Sequence, residues 1–116
     1  MPAVRPGPVR VLASIGDLDA AVHGSHARPI VIFKHSRTCG TSLMAQEEIE
    51  AFAAGTPAVD VFVVSVQAAR PVSNEIAARF GVRHESPQAL IIKDGAVRWH
   101  GSHFRVRQDK IAAALA

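Results

Sequence analysis

The run Ile30-Val31-Ile32-Phe33 constrains the fold more than any other stretch of the chain. Four consecutive apolar residues leave a strand no polar face to turn to water. Such a strand belongs inside a sheet that is covered on both sides. A second run of the same kind follows, Val59-Asp60-Val61-Phe62-Val63-Val64-Ser65-Val66. Between the two, Ala45, Ile49, Phe52 and Ala53 recur at helical spacing over about residues 41–54. Glu47, Glu48 and Glu50 fall mostly on the opposite face, and Gly55-Thr56-Pro57 stops the helix. Two strands of this kind flanking an amphipathic helix predict an α/β sheet with helices on both faces.

The remaining elements extend that pattern. Val9 to Ala13 alternates as a short strand, and Ser14 offers an N-cap with Asp17 three residues on. Asp17 to His23 then forms a short helix that turns Leu18, Ala21 and Val22 inward and ends at Gly24. Pro71-Val72-Ser73-Asn74 opens a third helix, with Ile76, Ala77 and Phe80 inward and Gly81 at its end. Gln88 to Lys93 is a strand, and Asp94-Gly95 is a two-residue hairpin signal that sends Ala96 to His100 back antiparallel. A last helix, from about residue 105 to 115, turns Val106, Ile111, Ala114 and Leu115 inward. The order is β α β α β α β β α. It predicts right-handed parallel crossovers with an antiparallel hairpin at one edge. Residues 1–8 carry three of the seven prolines and read as a flexible N-terminal tail. Residues 9–116 form one domain, long enough to bury a core without disulfides or metals.

Composition narrows the function. The formal charge of +3 comes from basic residues scattered along the chain, and there is one Trp and no Tyr. That pattern offers no aromatic or basic platform for nucleic acid. No stretch approaches the roughly 20 apolar residues of a membrane span, and Met1 to Pro8 lacks the apolar segment of a secretion signal. We therefore expect a cytoplasmic protein, in a compartment where a free thiol persists.

That thiol is Cys39, the only cysteine. It lies where the apolar strand gives way to the amphipathic helix. A helix N-terminus favours thiolate over thiol, as do nearby cations. Lys34, His35 and Arg37 are close in sequence and can add positive potential, and Thr41 and Ser42 carry hydroxyls able to donate to a thiolate. Free cysteines are often buried structural residues. The neighbours here (Ser36, Arg37, Thr38, Gly40, Thr41 and Ser42) are small or polar, which suits a reactive catalytic thiol instead. A second signal is His84-Glu85-Ser86-Pro87-Gln88, just before a strand. Proline at a strand's first residue is ordinary. A cis Ser86-Pro87 bond would instead turn the Ser86 backbone toward the sulfur, to pair with an extended substrate. His84, Ser86 and Pro87 are accordingly the candidate substrate-binding residues. Glu85 reads as a solvated charge. Among the six histidines, His35 with Cys39 and His100 with His103 have spacings that can bring ligands together, but neither completes a metal-ligand set, and we expect no metal.

These residues resemble a known family. Arg79-Phe80-Gly81-Val82-Arg83, a proline, an apolar strand and Lys93-Asp94-Gly95 are similar to the second half of thioredoxins. Thr38-Cys39-Gly40-Thr41-Ser42 stands where thioredoxins carry Cys-x-x-Cys, with Ser42 in place of the resolving cysteine. More narrowly, Phe33-Lys34-His35-Ser36, the Thr-Cys-x-x-Ser core, His84-Glu85-Ser86-Pro87-Gln88 and Trp99-His100-x-Ser102-His103 resemble the monothiol bacilliredoxins, the YtxJ-like family of the thioredoxin-fold superfamily. The family usually has Pro-Ile or Pro-Val after the cysteine, where this chain has Gly40-Thr41. Thioredoxins bury an acid six residues before the first cysteine, where this chain has Phe33.

The resemblance implies a thioredoxin-like fold and a monothiol thiol–disulfide exchange enzyme. Such an enzyme takes bacillithiol, or a similar small thiol, from mixed disulfides on client proteins through Cys39. It implies no bound cofactor, a low-molecular-weight thiol as co-substrate, S-thiolated client proteins as partners, and a second small thiol or a reductase for recycling. The residues themselves leave two other readings open: a non-catalytic thioredoxin-like module binding proteins at the Ser86-Pro87 edge, and a thiol redox or metal sensor.

Overall fold

The structure is a computed structural model that describes residues 9–38 and 40–116. The expected tail over residues 1–8 and the candidate nucleophile Cys39 lie outside the described residues. Five strands and four helices follow in the order β1 (Val9–Val11), α1 (Ile15–Gly24), β2 (Ile30–His35), α2 (Gly40–Gly55), β3 (Asp60–Ser65), α3 (Arg70–Phe80), β4 (Gln88–Lys93), β5 (Ala96–Ser102) and α4 (Gln108–Leu115). A single 3₁₀ turn, His103–Arg105, links β5 toward α4.

The strands form one sheet in the order β1-β3-β2-β4-β5. The apolar β2 is central, and Ile30, Val31, Ile32 and Phe33 are all fully buried. Its alternate residues feed two cores. Ile30 and Ile32 pack with Leu18 and Ala21 of α1 and Val72 and Ile76 of α3. Val31 and Phe33 pack on the opposite face with Ala45, Ile49, Phe52 and Ala53 of α2 and Ile111 of α4. Helices thus cover both faces, as the unbroken apolar run requires.

Local signals act as their chemistry dictates. Ser14 Oγ accepts from the Asp17 N–H at 3.1 Å, and the Asp17 carboxylate accepts from the Ser14 N–H at 3.2 Å, a complete capping box. Gly81 ends α3 with φ +64°, a conformation in which a Cβ is strained. Asp94 and Gly95 turn the hairpin with φ of 54° and 75°, both in the left-handed region a type I′ turn needs. Arg98 is the extra residue of a β-bulge, since Ile91 pairs with Trp99 and Ile92 with Val97.

Two expectations are corrected. β1, β2 and β3 are mutually parallel, but α3 does not complete another parallel crossover: β4 runs antiparallel to β2, with Gln88 opposite Lys34. Residues 81–87 carry the chain to the end of the sheet where β2 finishes, so β4 starts there and runs back. The last helix is also shorter than its pattern suggests. His103 takes φ +57°, the 3₁₀ turn follows, and α4 starts only after Arg107. Val106 is buried from that linking segment and not from a helix.

Candidate active site

The end of β2 places two of the candidate residues, Lys34 and His35. Strand alternation sends Phe33 and His35 to the α2 face and Lys34 to the α1/α3 face. Phe33, where the resemblance places the acid of thioredoxins, is a core residue, and the His35 ring lies 5.9 Å from it. The buried His35 Nδ1 has no hydrogen-bond partner among the described residues. Lys34 is 0% exposed. Its Nζ lies 3.2 Å from Nδ1 of His84, and no carboxylate pairs with it among the described residues. Burial lowers the Lys34 pKa from 10.5 to about 8.

Beyond β2, residues 36–38 lead to Cys39, and α2 starts at Gly40. Ser42 is buried, and its Oγ accepts from the Ser36 N–H at 3.2 Å, which ties the first turn of α2 back to the end of β2. That bond leaves the Ser42 hydroxyl proton for another acceptor. Gln67, in the link between β3 and α3, clamps the same loop. Its Nε2 donates to Ser36 Oγ at 2.8 Å and Thr38 Oγ1 at 3.2 Å, and its Oε1 accepts from the Arg37 N–H at 3.3 Å. Sequence reasoning missed Gln67, because nothing in its local pattern points across 29 to 31 residues to this loop. We expect Gln67→Ala to lower stability by about 1 kcal/mol. The Arg37 amide should then exchange hydrogen faster than in the wild type; unchanged exchange by NMR would show that Gln67 does not hold the loop.

The segment 84–87 arrives at the same end of the sheet. The Ser86–Pro87 bond is cis. Pro87 is buried, and its C=O accepts from the His103 N–H at 2.8 Å. Gln88 is buried beside it and donates from Nε2 to the Arg83 C=O at 2.9 Å. The Glu85 carboxylate, expected as a solvated charge, accepts from the Ser102 hydroxyl at the end of β5. That bond is the main reason its pKa is lowered. His84 is exposed. Desolvation lowers its pKa first, and the positive charges of Lys34 and Arg70 lower it further, against an opposing effect from Glu85.

The structure therefore gathers Lys34, His35, Ser42, His84, Ser86 and Pro87 at one end of the sheet. Thr41 is at the second position of α2. It lines a groove of about 220 Å³ between α2 and the 3₁₀ turn, with Met44, His103, Phe104 and Arg107. Met44 and Phe104 are 62% and 73% exposed. Among the described residues, no group of three or more His, Cys, Asp and Glu side chains could hold a metal ion. No described helix is long and apolar enough to cross a membrane.

This geometry has known counterparts. The family model of the monothiol bacilliredoxins (Monothiol bacilliredoxin BrxC) matches residues 10–111. The chain belongs to the monothiol bacilliredoxin family. Its fold is that of thioredoxin, and the family and its structural neighbours mark it as a thiol oxidoreductase. A proposed oxidoreductase with a thioredoxin fold superposes with a TM-score of 0.85 at 28% identity, over 93% of this chain and 94% of the other. Thioredoxin of Fasciola hepatica matches with a TM-score of 0.74 at 26% identity, over 91% and 95%. Thioredoxin NaTrxh of Nicotiana alata matches at 0.76 over 99% and 96%, and at 20% identity it speaks for the fold alone.

Proposed function

We propose that this bacilliredoxin removes bacillithiol, or a similar small thiol, from mixed disulfides on client proteins. One observation carries the reading: the family match spans residues 10–111, and that span contains a single cysteine, Cys39. The Cys39 thiolate attacks the outer sulfur of a client–S–S–R disulfide. The S–S bond breaks, a new bond joins Cys39 to the small thiol, and the client leaves as a thiolate that takes a proton from water. The client sulfur leaves with the electron pair of the broken bond and Cys39 supplies the pair of the new one, so the client sulfur is reduced and the Cys39 sulfur oxidised by one electron each in formal oxidation state. With no second cysteine, the adduct cannot be resolved within the chain. A second small thiol, or a partner reductase, attacks it and restores Cys39.

The surroundings suit these steps. α2 starts at the residue after Cys39, so the positive end of its dipole adjoins the thiol in the chain and favours thiolate. The Ser36–Ser42 and Gln67 bonds hold the loop that leads to it. Exposed Leu43, Met44 and Phe104 offer adaptable apolar surface to varied clients. A reducing cytoplasm supplies the free thiol that recycling needs.

The single cysteine predicts a kinetic signature. Mixed with excess S-thiolated client, the protein should release a burst of about one equivalent of client thiol and then stop. Added small thiol should convert the burst into steady turnover. Sustained turnover with no added thiol would contradict the monothiol route.

A further inference from the structure

Lys34 is an unusual residue to bury. An ammonium withdrawn from water with no carboxylate beside it is costly, and an apolar side chain of that length would fit the core face with less penalty. Its partner among the described residues is His84 Nδ1, at 3.2 Å. The chemistry of that contact fixes the histidine. An ammonium only donates, so Nδ1 must accept, and the neutral ring then carries its proton on Nε2. Desolvation first, then Lys34 from β2 and Arg70 from α3, oppose a second proton on the ring. Glu85, the one acid acting on the ring, is engaged by the Ser102 hydroxyl.

His84 is thus an exposed ring with a fixed Nε2–H donor, set in the field of two cations. It sits at the head of the segment that reaches the end of β2. A donor in a positive field is matched by an anionic acceptor. We propose that His84, with its tautomer set by Lys34, hydrogen-bonds a carboxylate of the small thiol in the mixed disulfide and so selects carboxylate-bearing adducts. This rests on the thiol-transfer reading above. His84 is then a specificity residue, and Lys34 is the positioning residue behind it.

The test uses one client protein carrying a single cysteine, disulfide-linked either to cysteine or to cysteamine. The two adducts differ by the carboxylate alone. The readout is the ratio of their kcat/KM values for transfer to the full chain. The wild type should prefer the cysteine adduct by about tenfold, the equivalent of one charge-assisted hydrogen bond. His84→Phe should bring the ratio close to one. His84→Gln, which keeps a donor, should retain part of the preference. Lys34→Met, which keeps the ring but frees its tautomer, should lower the ratio without abolishing it. Nitrogen NMR of the wild-type ring between pH 7 and 8 should find Nε2 protonated and Nδ1 bare. The opposite tautomer, an active wild type with no preference, or an undiminished preference in His84→Phe would overturn the assignment. A wild type inert to both adducts would overturn the thiol-transfer reading and this assignment together.

Discussion

Cys39→Ser should lose small-thiol transfer by at least about a thousandfold, down to the uncatalysed exchange rate. The reason is electronic. A thiolate is the attacking group in disulfide exchange, and a serine hydroxyl is un-ionised at neutral pH and forms no stable bond to sulfur. The chain has no other thiol to substitute for it. Ser42 cannot take over, because a hydroxyl forms no disulfide and its oxygen already accepts from the Ser36 N–H. The variant's circular dichroism and thermal midpoint should be measured alongside, so that a folded but inert protein is seen as such. Retention of more than a few per cent of the activity in a folded Cys39→Ser protein would show that the chemistry lies elsewhere.

Lys34→Met should give the second-largest effect, on stability and its pH dependence. Lys34 has a folded pKa near 8 against an ordinary value of 10.5. Below pH 8 the side chain is protonated in both states, and the native state bears the full penalty of the buried charge. Between pH 8 and 10.5 the native state sheds the proton while the unfolded chain keeps it. The unfolded state then binds more protons, so wild-type stability rises with pH across that window. A tenfold difference in proton affinity between the two states is worth about 1.4 kcal/mol, which bounds the rise at ~3 kcal/mol. Methionine removes the charge and keeps the length. Lys34→Met should therefore be more stable than the wild type at pH 7 by ~1–3 kcal/mol, and the gap should close between pH 8 and 10.5. Urea unfolding of both proteins across that range measures it. A variant less stable at pH 7, with a gap independent of pH, would mean that Lys34 is held by attractions stronger than its burial cost.

Much of the scaffold was legible because its signals are local. Ile30 to Phe33 required cover on both faces and has it. Ser14 with Asp17 announced a capping box, and Asp94-Gly95 announced a turn with two positive φ angles; both are present. The direction of β4 was not legible. A strand, a helix and a strand in sequence look the same whether the second strand returns parallel or antiparallel. Residues 81–87, which decide the matter, carry a helix-stopping glycine and a proline before the strand, but nothing in them sets the direction of that strand. The start of the last helix misled for a different reason. Val106 fits a helical stripe by spacing, yet the positive φ at His103 sets the chain into a 3₁₀ turn and delays α4 to Gln108.

The site was legible in its members more than in their relations. Lys34, His35, Ser42, His84, Ser86 and Pro87 do collect at one end of the sheet. A lysine at a strand end ordinarily reads as a solvated charge, and nothing local shows that its ammonium turns inward to a ring fifty residues away. Gln67 and the Glu85–Ser102 bond are long-range pairings of the same kind. Each depends on which strands are neighbours: the Gln67 bonds on the parallel β2–β3 pair, the Glu85–Ser102 bond on the β4–β5 hairpin, and the Lys34–His84 contact on the antiparallel β4 that the sequence pattern did not reveal.

The fate of the small thiol decides the mechanism. Intact-protein mass spectrometry can follow it after mixing the wild-type chain with a client carrying one small thiol on a single cysteine, quenched in acid. The chain should gain the mass of a disulfide-linked small thiol, localised to Cys39 by fragmentation, while the client appears reduced. A small thiol that stays on the client, or one released free while Cys39 is joined to the client itself, would contradict small-thiol transfer through Cys39.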